Sequence, residues 1–135
     1  MGRRRTTPAA TTGLYVGHFT LQPRINYTNN APVANTWYTV ADLSSVDTLR
    51  LYSLRWYGLP IPVSTDIQIT VDGQVIFSTH GTGGWQWLLG PDGNWIATEP
   101  EKYALFDGRA ILIEIRGGPG VTNLYLQSWY AERII

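Results

Sequence analysis

Apolar residues alternate with polar ones along most of this chain, and that period of two is the signature of half-buried β-strands. The clearest stretch is Asp66 to Ser78, DIQITVDGQVIFS. Ile67, Ile69 and Val71 alternate with Gln68 and Thr70. Asp72-Gly73 then separates this run from a second β-rich run, Gln74 to Ser78. Asp-Gly between two such runs predicts a two-residue hairpin, because both central residues of a type I′ turn need positive φ. That loop pairs Val71 with Gln74, Thr70 with Val75, Ile69 with Ile76 and Gln68 with Phe77. Ile67, Ile69, Val71 and Ile76 then share a core face. The other face carries Thr70 and Gln68, but also Val75 and Phe77. It is not a clean solvent face, so Val75 and Phe77 become candidates for contact with another surface; a bulge near the turn would instead turn them into the core.

The same pattern predicts strands elsewhere. Leu14 to Leu21 reads as a first strand, and Ile25–Tyr27 as a short extended piece within a loop rich in Pro and Asn. Thr36 to Leu43 is a strand, Ser44 to Asp47 a turn, and Thr48 to Leu59 the longest β run. In that run Leu49 and Leu51 have one parity and Leu54 and Trp56 the other, which predicts a bulge or bend near Tyr52–Ser53. Trp85 to Leu89 is a short strand. Thr98-Glu99-Pro100-Glu101 has the form of a helix start, with a helical turn running to Phe106 before Asp107-Gly108. Arg109 to Arg116 is a strand with Ile111, Ile113 and Ile115 inward, and Val121 to Tyr130 is the last, followed by a tail from Ala131. About eight short strands separated by Gly/Pro turns define an all-β chain: a single antiparallel β-sandwich, with an eight-stranded jelly roll as first choice and an immunoglobulin-like sandwich as second.

Composition narrows this further. The 135 residues suit one domain, and 44% hydrophobic content is ample for a core. Residues 1–13 read as an N-terminal arm and residues 14–135 as the sandwich domain. Charged residues make up only 15%, while aromatics reach 13%, with 6 Trp and 8 Tyr. That balance fits a surface that meets protein or sugar. Net charge is zero, yet Arg3, Arg4 and Arg5 supply three of the ten basic residues, leaving seven against ten acidic ones, about −3, for the rest. A mildly acidic body with a basic tip is not a nucleic-acid-binding domain. An arm whose arginines pair with carboxylates of an adjacent subunit is the better reading. There are no cysteines, which favours folding in a reducing compartment. No apolar h-region follows the basic start, so no secretion signal is expected, and no apolar run approaches the length of a membrane helix.

No catalytic set assembles from the sequence. There is no Cys nucleophile, His18 and His80 stand apart, and acidic, His and Cys residues do not cluster at ligand spacing. HGTGG lacks the Lys-Ser/Thr of a phosphate loop. Catalytic residues, metal and cofactor are therefore all expected to be absent. Trp85, Trp87 and Trp95 flank a Pro-Asp-Gly-Asn turn. They could form a sugar-stacking platform beside Asp92 or Asn94; filling a core or a subunit interface is the commoner use of such rings.

Two stretches carry a resemblance. Trp37, Tyr38, Thr39, Val40, Asp42 and Ser44 fit a WYTV-x-D-(L/V)-S strand, and Ile67, Ile69, Thr70, Val71, Asp72, Gly73 and Ile76 fit an (I/V)-x-(I/V)-T-V-D-G-x-x-I hairpin. This pattern resembles small all-β virion proteins of tailed bacteriophages, of the head decoration (cement) or tail-associated type, over about the middle third of the chain. The resemblance implies a structural virion protein without enzyme activity, assembled in the host cytoplasm. Its partners would be the major capsid protein and other copies of itself in a homotrimer, with no membrane or nucleic acid partner. In that setting the Arg3–Arg5 arm and Val75, Phe77, Trp85, Trp87 and Trp95 are the expected contact residues. A carbohydrate- or receptor-binding module of a tail, and a small jelly-roll capsid protein, are the alternatives.

Overall fold

The computed structural model describes residues 18–81, 86–88 and 104–134. Among them are eight β-strands and no helix: β1 (His18–Leu21), β2 (Ile25–Asn29), β3 (Tyr38–Leu59), β4 (Thr65–Val71), β5 (Gln74–Gly81), β6 (Gln86–Leu88), β7 (Ala104–Gly117) and β8 (Asn123–Ile134). All pairings are antiparallel and join one open sheet in the order β1-β8-β3-β7-β4-β5, with β2 also on β8 and β6 also on β3. The chain is thus all-β, as its period-two pattern requires.

β3 organises the sheet. Thr36–Leu43 and Thr48–Leu59 were expected to be separate strands, but Tyr38 to Leu59 is one strand of 22 residues. Its first part pairs with β7 from Tyr38↔Ile115 onward, and its last part pairs with β8 as far as Leu59↔Asn123. The register shifts between Leu51 and Leu54 against β8. This is the break in phase expected near Tyr52–Ser53. It lets Leu49 and Leu51 before the break, and Leu54 and Trp56 after it, all enter the same core.

The sheet thereby doubles over. One half consists of β5, β4, the end of β7 and the start of β3. The other consists of β6, the end of β3, β8 and β2. Ile67, Ile69 and Val71 of β4 and Ile111, Ile113 and Ile115 of β7 meet Leu54, Trp56, Leu124 and Leu126 from the second half in a single buried cluster. Each of these residues is at most 2% exposed. Where β7 crosses from one half to the other, Gly108 packs under Val71, and a Cβ on Gly108 would collide with Val71 Cγ1. A smaller cluster of Tyr52, Trp129 and Ala131, with Phe19 against it, lies apart from this core.

Two expectations change. Leu105, Phe106, Asp107 and Gly108 are strand residues of β7, not the end of a helical turn and its stop; the expected helix start at Thr98–Glu101 lies outside the described residues. The presumed tail from Ala131 is the end of β8 and pairs with β1, from His18↔Ile134 to Leu21↔Ala131. The first strand is described only from His18, and the 1–13 arm is outside the described residues.

Polar links tie the bend together. Arg50 Nε and Nη2 donate to Asp107 Oδ1 and Oδ2 at 2.9 and 3.0 Å, and the Arg50 guanidinium lies 3.9 Å from the centre of the Phe19 ring. Asp107 is 1% exposed, so this two-pronged pair supplies the hydrogen bonds its buried charge requires. Arg133 holds Asp47 with Nη2 2.6 Å from Oδ1. At the β4–β5 turn, Asp72 and Gly73 take φ values of 51° and 81°, as the type I′ turn demands. Asp72 Oδ1 also accepts the backbone N–H groups of Arg109 and Ala110 at 2.8 and 2.9 Å, which fastens the hairpin tip to β7.

Two predictions follow from these links. Asp72→Ala loses two accepted hydrogen bonds and the tolerance for positive φ, and should cost about 2 kcal/mol in urea denaturation; Asp72→Asn should cost less, because Asn keeps both an acceptor and the left-handed tolerance. The hydrogen bond from Arg133 holds the Asp47 carboxyl below its ordinary value of 3.8, with burial opposing and Thr48 assisting. A carboxyl depressed in the folded state stabilises above its unfolded value and loses that contribution as pH falls through its folded value. Asp47→Asn should therefore flatten the acid limb of a stability–pH profile below about pH 4, measured by denaturant midpoints.

Candidate functional site

The hairpin register decides what the outer face of the first half-sheet carries. A plain two-residue loop would put Thr79 opposite Asp66. Instead, Ile69 pairs with Phe77 and Thr70 with Val75, so Ile76 is an extra residue on β5. From there on every β5 residue changes face. Phe77 sits opposite Ile69 and packs against the core, contrary to the simple register, in which it faced outward. Val75 stays opposite Thr70 and is 51% exposed. The same bulge places His80 opposite Asp66.

Asp66 is also opposite Arg116 on β7. Three strands thus contribute one residue each to a row across the outer face: His80, Asp66, Arg116. Trp37, just before β3, completes it. Asp66 Oδ1 lies 2.5 Å from His80 Nδ1. Asp66 Oδ2 accepts from Arg116 Nε and Nη2 at 3.1 and 2.7 Å. The Arg116 guanidinium lies 4.5 Å from the centre of the Trp37 ring, a cation–π distance. Asp66 is 8% exposed, whereas the His80 side chain is 70% exposed. A buried carboxylate therefore orients one accessible imidazole and one half-open guanidinium. A carboxylate only accepts, so the imidazole hydrogen facing Asp66 is on Nδ1, and Nε2 is the nitrogen left toward solvent. These groups, with Ser78 and Thr79, line a cleft of about 270 Å³. The next row of the same face brings Glu114, Gln68 and Ser78 into register.

The outer face of the second half-sheet is built differently. Tyr57 and Tyr125 stack with centroids 4.6 Å apart and planes 17° from parallel. Arg55 Nε and Nη2 donate to Gln127 Oε1 at 2.9 and 2.7 Å, and Gln127 Nε2 donates to Asn26 Oδ1 at 3.4 Å. On the flank, Pro23 to Tyr27, Val40, Ala41, Leu43 and Tyr130 bound a groove of about 360 Å³ with a mixed polar and apolar lining.

The residues singled out from the sequence are only partly placed. Trp87 lies on β6 with its backbone opposite Arg55. Arg3, Arg4, Arg5, Trp85, Trp95 and the Asp92–Asn94 turn lie outside the described residues. His80 appeared isolated along the chain, and the fold supplies its partners. Trp37 and Asp66 were read only as strand residues. Asp66 and Arg116 do have outward parity in their strands, which is the one local signal for the site; their neighbour His80 depends on a bulge. No group of three or more His, Cys, Asp or Glu capable of holding a metal occurs among the described residues. The chain matches no family model, and no curated protein or solved structure matches it significantly.

Asp66→Ala leaves the half-exposed Arg116 without its carboxylate and should cost about 1.5 kcal/mol. His80→Ala removes an exposed side chain and should cost under about 0.5 kcal/mol. Denaturant midpoints of the two variants check that the row is anchored on the Asp66–Arg116 pair.

Proposed function

We propose that this protein is a structural subunit of a virion, of the capsid-decorating kind, and that it works by binding rather than by catalysis. The observation that carries the reading is where its two phage-like stretches fall. The Trp37–Ser44 stretch and the Ile67–Ile76 hairpin are over twenty residues apart in sequence, yet both belong to the half-sheet of β3, β7, β4 and β5. The residues that carry the resemblance therefore form one spatial unit.

Other features suit a subunit that holds neighbours. Paired charges fix the bend internally, while apolar side chains stand out at its margins: Val46 is 93% exposed, Val33 63%, Ile61 56% and Val75 51%. Specific contacts between proteins commonly bury about 1,600 Å². Repeated over a shell, contacts of that size resist outward pressure. In this reading the Arg3–Arg5 arm latches a neighbouring copy or the major capsid protein, and Val75 lies at a contact. Phe77 leaves the contact set, because its ring belongs to the protomer's own core.

The test is native mass and particle binding. The protein should run in multi-angle light scattering as a trimer, three times the chain mass of 15.1 kDa, and should co-sediment with capsid shells. Removal of residues 2–12 should weaken that co-sedimentation. A monomer that remains in the supernatant overturns the proposal.

A further inference from the structure

We propose that the cleft between Trp37, Arg116, Asp66 and His80 is a binding site for a neutral, hydroxyl-rich sugar ring. The inference does not depend on the virion reading; it rests on what the cleft offers a ligand and on what it repels.

Hydrogen-bonding capacity comes first. Asp66 uses Oδ1 on His80 and Oδ2 on Arg116. Its partners keep capacity of their own. Arg116 Nη1 makes no hydrogen bond among the described residues, and neither do His80 Nε2 and the Ser78 hydroxyl. His80 Nε2 is the ring nitrogen that Asp66 does not engage, and Arg116 Nη1 is a pure donor. A sugar hydroxyl both donates and accepts. It can pair with His80 Nε2 in either role and accept from Arg116, and the Ser78 hydroxyl can serve a second position.

Charge then selects among hydroxyl-bearing ligands. Arg116 and Asp66 cancel, and Glu114, two residues along β7 from Arg116 on the same face, adds a negative charge. The site therefore offers no surplus of fixed positive charge from Arg116, so a phosphate or carboxylate gains little from it. Size is the third point. About 270 Å³ lies just below the usual range for pockets that hold drug-sized ligands, and suits a single ring. Trp37 lines the cleft, and the part of its ring that the Arg116 guanidinium does not cover supplies apolar surface for a sugar's C–H groups.

The site is separate from the Trp85–Trp87–Trp95 platform considered from the sequence, and it uses a row that only the fold assembles. The test is a glycan array carrying neutral and sialylated glycans, followed by titration of the best neutral monosaccharide against 15N-labelled protein. Wild type should bind neutral glycans, with shifts at the His80 ring nitrogens and the Trp37 indole. His80→Ala and Ser78→Ala should each weaken binding about tenfold or less, the worth of a single hydrogen bond. Native mass and particle association of these two variants should be unchanged, which separates failure of this proposal from failure of the assembly reading. No bound glycan, a preference for sialylated over neutral glycans, or binding indifferent to both substitutions overturns it.

Discussion

Side-chain alternation is the constraint on which everything else here depends. In a strand each single-residue slip exchanges the faces. Of the register shifts in this sheet, two decide the core and the cleft. One, near Tyr52–Ser53, lets β3 contribute Leu49 and Leu51 to the core from one side of the bend and Leu54 and Trp56 from the other. The second, at Ile76, turns Phe77 inward and His80 outward. Without the first, one strand could not serve both halves of the sandwich. Without the second, Asp66 would face Thr79, and no imidazole would stand in the cleft.

Charge pairing supports these slips. Ion pairs link the strands around them. Arg50 grips Asp107, its register partner across the β3–β7 pair, and Arg133 grips Asp47 beside the end of β8. The Asp72 carboxylate binds two backbone N–H groups of β7 and so ties the hairpin tip to the neighbouring strand. The Asp66–Arg116 pair continues this pattern on the outer face, with one difference: its imidazole and guanidinium retain free hydrogen-bonding capacity at the surface. A purely structural pair and the proposed ligand site thus use the same kind of bond, distinguished by what it leaves unsatisfied.

Assembly and recognition, as proposed above, use different parts of the molecule. Contact with neighbours is assigned to margins, where Val46, Val33 and Ile61 protrude, to the edge strand with Val75, and to the arm. Sugar recognition is assigned to the outer face of one half-sheet. A subunit that is held by its margins keeps that face open.

The amino-acid sequence by itself determined the class of fold, the type I′ turn at Asp72-Gly73, the inward set Ile111, Ile113 and Ile115, and the phase break in β3. All of these are local: they follow from alternation and from the φ preferences of two residues. It left open the union of Thr36–Leu43 with Thr48–Leu59, because Ser44 to Asp47 has the composition of a turn, and there β3 shifts register against β7, between Ser44 and Leu49, while staying one strand. It misread Leu105 to Gly108 too, since strand formation there depends on pairing with Leu49–Leu51. The position of one extra residue in β5 was likewise beyond it. A bulge is selected by burial of Phe77 against a core that exists only after folding. The tertiary structure therefore decided the row of Trp37, Arg116, Asp66 and His80, whose members come from four separate segments and meet through register alone.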